Sequence, residues 1–299
     1  MPRVREAVEY QQIYEDPPER VPVPALLEQP KTQEKRSKKI MREVFEKYAA
    51  VVFFDTETTG LDYENDQIIE LAAIRVIQTK SGRLMIADSQ DIFVQLPEGQ
   101  KLPENIVKLT GITDEILENE GVPENEAAAI FANMIRDDFG PVLLVAHNAQ
   151  FDLLFALGLL RRNPCYVPAD DGMKMIPTRE REKMLAAADY LDSLTVYKDR
   201  RPYPHKLANA ITAYKLEDKV QNSHRAIDDV WALYEVVKAM DAERADLLRY
   251  VNLFGYNPKY GVTGRRIKKV QYWPQRFNKY MAAPNATLPA LAKNIFPTA

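Results

Sequence analysis

Cysteine is almost missing from this chain: Cys165 is the one thiol in 299 residues. A single cysteine allows neither an intramolecular disulfide nor an all-cysteine metal site, which suits a reducing compartment and makes the cytoplasm the expected location. Long apolar runs are missing too. Nowhere do about 18 uncharged apolar residues follow one another, and Met1 to Glu19 mixes charge and polarity with no apolar signal core. Neither membrane insertion nor secretion is expected from such a pattern. Acidic residues are absent from Tyr250 to Ala299, where Lys259, Arg265, Arg266, Lys268, Lys269, Arg276, Lys279 and Lys293 contribute +8. The net charge is −3, so the rest of the chain carries −11. That asymmetry predicts an end that faces a polyanion.

The remaining composition, 46% hydrophobic and 28% charged, gives no case for general disorder and fits one main domain with tails. Residues 1–31 mix charge with Pro17, Pro18, Pro22, Pro24 and Pro30 and read as an extended arm. From Thr32 to Tyr48, apolar residues at helical spacing predict an amphipathic helix that leads into a domain ending near residue 249. Val51 to Phe54 is a short continuous apolar run, the mark of a strand buried on both faces. Ile68 to Ile77, Ile92 to Leu96 and Val142 to Ala146 read as further strands. Helices are expected at Pro103 to Leu109, Glu124 to Asp138, Gln150 to Arg161, Lys206 to Lys215 and Ala226 to Met240. Pro164 to Lys183 reads as polar and irregular, with a turn at Asp170-Asp171-Gly172. This alternation describes an α/β layered domain.

Three segments carry chemistry. Asp55-Thr56-Glu57-Thr58-Thr59-Gly60 closes the first apolar run. Strand side chains alternate, so Asp55 and Glu57 share a face and aim two carboxylates at one point. Hard divalent cations need such oxygen ligands, and a cation relieves the repulsion between buried acids. The plainer reading is an acid-rich turn that caps a strand. His147-Asn148-Ala149-Gln150-Phe151-Asp152 follows another buried strand, and Asp152 sits among Phe151, Leu153, Leu154 and Phe155. A carboxylate in that setting either caps a helix or binds something. His147 is ambiguous between function and a hydrogen-bonded histidine at a strand end. His224-Arg225-Ala226-Ile227-Asp228-Asp229 opens an amphipathic helix, on which Asp229 falls with Ala226, Ala232 and Leu233 and Asp228 falls nearer solvent. The chain has three histidines, and His224 stands five residues before that core-facing acid. Its position favours a role in proton transfer over a solvated residue near a helix start.

Together the patterns Asp-x-Glu-Thr-Thr-Gly, His-Asn-Ala-x-Phe-Asp and His-x-Ala-x-x-Asp resemble the DEDDh 3′-to-5′ exonucleases, the family that includes the proofreading epsilon subunit of bacterial DNA polymerase. The resemblance covers about Val51 to Met240, and Leu109 to Thr113 and Pro204 to Leu207 also look like family segments. It implies a ribonuclease-H-like fold, a mixed sheet flanked by helices. It implies that Asp55, Glu57, Asp152 and Asp229 hold two Mg²⁺ or Mn²⁺ ions and that His224 is the general base. It places Thr56, Thr58 and Leu61 at the terminal nucleotide's 3′ hydroxyl and base, with Asn148 touching substrate. The implied substrate is a single-stranded DNA 3′ end, cut to 5′ mononucleotides in proofreading or repair. An RNA 3′-end trimmer, and an inactive nucleic-acid-binding module of the same fold, are the alternatives, and the termini leave room for docking on a polymerase or other replication protein. Beyond the family pattern, the C-terminal extension of residues 250–299 interleaves its cations with Phe254, Tyr256, Tyr260, Tyr272, Trp273 and Phe277. Such a segment either stacks on a single strand or folds back on the domain.

Overall fold

A computed structural model of the chain describes residues 40–169, 172–220, 223–256 and 271–274. The expected arm at 1–31, the start of the leading helix at Thr32 to Lys39, and the extension at 257–270 and 275–299 lie outside the described residues. The leading helix is seen from Arg42 to Lys47 (α1). Three strands follow, β1 (Ala50–Thr58), β2 (Ile68–Gln78) and β3 (Leu84–Phe93), then three helices, α2 (Glu104–Thr110), α3 (Asp114–Glu120) and α4 (Glu124–Met134). β4 (Val142–Ala146) leads into α5 (Ala149–Arg162), the hairpin β5 (Cys165–Ala169) and β6 (Gly172–Ile176), and α6 (Thr178–Ala187). The chain continues through β7 (Asp189–Asp192), α7 (Ser193–Arg200), α8 (Leu207–Ala213), α9 (Ala226–Glu243), a 3-10 turn at Leu247–Tyr250, β8 (Leu253–Tyr256) and β9 (Gln271–Pro274).

The five-stranded sheet has the order β3-β2-β1-β4-β7. β1 runs antiparallel to β2 and parallel to β4, and β4 runs parallel to β7, so the sheet is mixed as expected. β1 sits in its middle because both its faces are apolar. Val52 and Phe54 enter a core with Phe131 of α4 and Leu153 and Phe155 of α5. Val51 and Phe53 enter a second core with Tyr197 of α7, Ile211 of α8 and Val230, Leu233 and Val237 of α9. The Phe53 ring meets Tyr234 edge-on at 5.3 Å. Fully burying side chains of this size contributes roughly 1.5–3 kcal/mol each.

Three sequence expectations are corrected. The third strand runs from Leu84 to Phe93 rather than from Ile92 to Leu96; Val94 makes one isolated bridge to Val122. β3 is an edge strand whose residues, Ile92 apart, are half-buried or exposed, so its polar stretch Asp88 to Asp91 hid it, while the apolar run marks where the chain leaves the sheet. The span Pro164 to Lys183 is a hairpin followed by a helix rather than irregular chain; Asp170 and Asp171 lie outside the described residues. Part of its polarity is Arg181, a buried arginine whose guanidinium donates to the carbonyls of Leu160 and Ile176 and to Thr178 Oγ1. Phe254 is 2% exposed and stacks near Tyr190, so it is closed to a nucleic-acid base. Asn252 fastens this stretch: its N–H donates to Tyr190 O and its Oδ1 accepts from Tyr190 N. Among the described residues no helix is long and apolar enough to cross a membrane.

Candidate active site

Val51, Phe53, Asp55 and Glu57 occupy alternate positions of β1 and so share the face on which α9 packs. That helix brings Asp229 down onto the end of the strand. Carboxylate oxygens of Asp55, Glu57 and Asp229 all lie within 4.8 Å of one another. Asp229 is 9% exposed. Asp228, the neighbouring acid, is less buried and accepts the Ser223 hydroxyl instead.

Asp152 arrives from the opposite face. It lies in the first turn of α5, is 3% exposed, and does not belong to the group of three. Thr56, between Asp55 and Glu57, reaches it with both its donors: the backbone N–H at 3.1 Å and the hydroxyl at 2.9 Å go to Asp152 Oδ1. Behind this contact stands Asp192 at the end of β7. Its Oδ1 accepts the N–H groups of Asn148 and Ala149 at the start of α5 and of Leu194 in α7, and its Oδ2 accepts the Thr195 hydroxyl. One buried carboxylate thus satisfies two helix N-termini. Asn148 holds a left-handed φ of 72° at that junction.

The electrostatics are unfavourable for bare carboxylates. Burial first, then the negative charges of Asp152, Asp229, Glu57 and Glu70, raise Asp55 well above the usual carboxylate range. Burial pushes Glu57 up to about 8, helped by Glu70, Asp229 and Asp152. Asp152 rises to about 7 because burial outweighs its bonds from Thr56. Buried acids crowded in this way keep protons unless positive charge is supplied, and an all-oxygen donor set of this kind fits a hard divalent cation. The residues present therefore fit such an ion.

The other expected residues stand on the same chain segments as these acids. His224 is exposed on the turn into α9, with φ 58°. His147 is a structural link: Nδ1 lies 2.9 Å from Ser193 Oγ and Nε2 lies 3.0 Å from the His205 carbonyl. Thr58 is 7% exposed and donates its hydroxyl to Gly60 O at 2.6 Å. A Cβ at Gly60 would overlap the Asp66 carboxylate, which would have to move aside. Leu61 is 86% exposed. It borders a cleft of about 440 Å³ with Tyr63, Asn148, Phe151, Leu154 and Phe155.

With this geometry, residues 52–237 match the RNase_T family model, described as Exonuclease. The chain belongs to this exonuclease family. It is the DEDDh group to which the three motifs pointed. The DNA polymerase III PolC-type of Staphylococcus haemolyticus is 42% identical over 109 residues, 36% of this chain and 7% of that protein. The Clostridium perfringens PolC-type polymerase is 31% identical over 187 residues, 62% of this chain and 11% of that protein. Among solved structures, E. coli exonuclease I in complex with a dT13 oligonucleotide superposes with a TM-score of 0.53 at 20% identity, over 68% of this chain and 43% of that one. That likeness shows the ribonuclease-H-like fold. The chain spans about a tenth of the length of the polymerases and under half of exonuclease I.

Within this exonuclease fold, sequence reading missed Asp192, Glu70 and Arg225. Glu70 is fully buried on β2, directly across from Glu57. Its signal was available: a single acid inside the apolar run Ile68 to Ile74 has to be paired. Asp192 repeats the pattern of Asp55 on a smaller scale, an acid closing a short buried strand.

Proposed function

We propose that this protein removes nucleotides from the 3′ ends of single-stranded DNA by metal-dependent hydrolysis, releasing 5′ mononucleotides. The observation that carries this reading is the half-buried group of Asp55, Glu57 and Asp229 with Asp152 held beside it. In the proposed site Asp55, Glu57, Asp152 and Asp229 hold two Mg²⁺ or Mn²⁺ ions. Such a pair, when bound, lowers the pKa of water and neutralises charge on the phosphoryl and leaving oxygens. His224 takes the proton of the attacking water. Asn148 contacts the strand, Thr56 and Thr58 border the 3′ hydroxyl, and exposed Leu61 lies against the terminal base, whose natural place is the aromatic-lined cleft beside Asn148. Similarity to PolC-type polymerases and to an exonuclease solved with an oligonucleotide supports DNA as substrate, and proofreading or repair with docking to replication proteins as the setting. The test is to offer 5′-labelled single-stranded DNA and RNA of one sequence with Mg²⁺ or Mn²⁺. A ladder that shortens from the 3′ end of DNA, with 5′ mononucleotide products, is expected. Preferential shortening of RNA assigns the site to RNA trimming, and an intact strand in both arms rejects the hydrolytic reading.

A further inference from the structure

The start of α9 is capped from outside the helix. A helix leaves its first four N–H groups without partners inside the helix, and a Ser, Thr, Asp or Asn normally caps them. Here the capping position is Arg225, whose side chain accepts nothing from the helix. The cap comes from another element. Glu70 Oε2 on β2 accepts the Ala226 N–H at 3.1 Å, and Glu70 Oε1 accepts Arg225 Nε at 3.0 Å. Both oxygens of one carboxylate, 0% exposed, thus hold two consecutive residues of a chain segment some 155 positions away. The Arg225 guanidinium is confined further by the Phe93 ring, 4.7 Å from its centroid, and by Asp91 Oδ2 at 4.0 Å. Immediately before it, His224 holds a left-handed φ of 58°. A non-glycine residue keeps that conformation only where its surroundings over-determine it, and the confined Arg225 is such a surrounding.

We propose that Glu70 and Arg225 are positioning residues that pin the turn before α9 to the sheet and thereby set where His224 and Asp229 stand, an inference that rests on the hydrolytic reading of the site. β2 carries Glu70 in register with Glu57 of β1. One strand pair therefore fixes a cation ligand and, through Glu70, the helix that delivers another. Capping alone needs no ion pair with a buried carboxylate, since a local Ser or Asp at position 225 would satisfy the same N–H. A buried ion pair is weak evidence for stability, and its best-attested use is to fix register.

The experiment compares wild type with Arg225→Ala and Arg225→Lys by three measurements: melting temperature, amide hydrogen exchange in metal-free protein, and kcat and KM on single-stranded DNA with Mg²⁺. In Arg225→Ala, exchange over residues 223–230 should quicken about tenfold while the sheet stays protected. Its kcat should fall roughly 10- to 100-fold with KM little changed, because a small displacement of catalytic groups costs on that scale. Arg225→Lys, which keeps the stem and charge but not the fork, should recover part of both. The proposal is overturned by unchanged exchange over 223–230, by fast exchange with an unchanged kcat, or by exchange that rises across the whole sheet with a lower melting temperature. Should wild type leave both DNA and RNA intact, the hydrolytic reading fails by itself, and the local exchange result still decides whether the clamp exists.

Discussion

Thr56 and Asp152 are joined twice, by the backbone N–H at 3.1 Å and by the hydroxyl at 2.9 Å, both ending on Asp152 Oδ1. Two residues 96 positions apart are thereby locked at the middle of the Asp55-Thr56-Glu57 triplet. Threonine at this position keeps the α5 carboxylate beside the three others, whichever groups of the substrate it also touches.

Thr56→Val keeps the shape and the N–H and removes the hydroxyl. A hydrogen bond to a charged group contributes about 1.5–3 kcal/mol, so kcat on a labelled oligonucleotide should fall roughly tenfold or more and the melting temperature should drop by several degrees. A variant as fast as wild type would show that the hydroxyl does not position Asp152.

Without cations the carboxylates oppose folding. Glu57 moves from its usual 4.5 up to about 8, and Asp152 and Glu70 up to about 7, chiefly through burial. Well below the ordinary Asp value of 3.8 folded and unfolded chains both keep these protons and no penalty arises. Between about 3.8 and 8 the unfolded chain ionises first, so the folded state binds more protons and its stability falls as pH rises. In EDTA the melting temperature should therefore drop between pH 5 and pH 9, less so in Glu57→Gln, and Mg²⁺ should restore it at the alkaline end. A melting temperature in EDTA that rises over this range contradicts the account.

His224→Ala should lower turnover roughly 10²- to 10⁴-fold, the usual contribution of a positioned proton acceptor. Mn²⁺ binding by calorimetry should stay close to wild type, because the carboxylates are untouched. Equal turnover in the variant would remove His224 from the mechanism.

Asp192→Ala should destabilise the fold itself. It strips the acceptor from three N–H groups at two helix starts and from the Thr195 hydroxyl. Loss of a cap costs about 0.5–2 kcal/mol, so urea denaturation should show a loss of roughly 1–4 kcal/mol. Asp192→Asn, which keeps one acceptor oxygen, should lose less.

The sheet and its two helical layers were largely readable from periodicity. Val142 to Ala146 is a strand with the expected limits, and the helix expected from Ala226 to Met240 runs on to Glu243. Alternation put Asp55 and Glu57 on one face, and helix phase turned Asp229 inward and Asp228 outward, the arrangement found. What escaped lacks a periodic signal. β7 is four residues long, too short to register a period, and with it went Asp192. β3 lies on an edge, where polar side chains are tolerated. The clamp of Glu70 on Arg225 joins two segments far apart in the chain, and local spacing carries no information about that pairing. Burial of Leu253 and Phe254 likewise depends on tertiary packing against β7 and α7, so those residues read as part of a basic aromatic tail.

The most direct test of the central claim is the digestion of a 5′-labelled single-stranded DNA by wild type, Asp229→Ala and Asp228→Ala with Mg²⁺ present or chelated. The structure groups Asp229 with Asp55 and Glu57 and ties Asp228 to Ser223. Wild type and Asp228→Ala should shorten the strand stepwise from its 3′ end, and Asp229→Ala and every EDTA sample should leave it intact. Full digestion by Asp229→Ala, or digestion by wild type in EDTA, would contradict the carboxylate-held cation site on which the account rests.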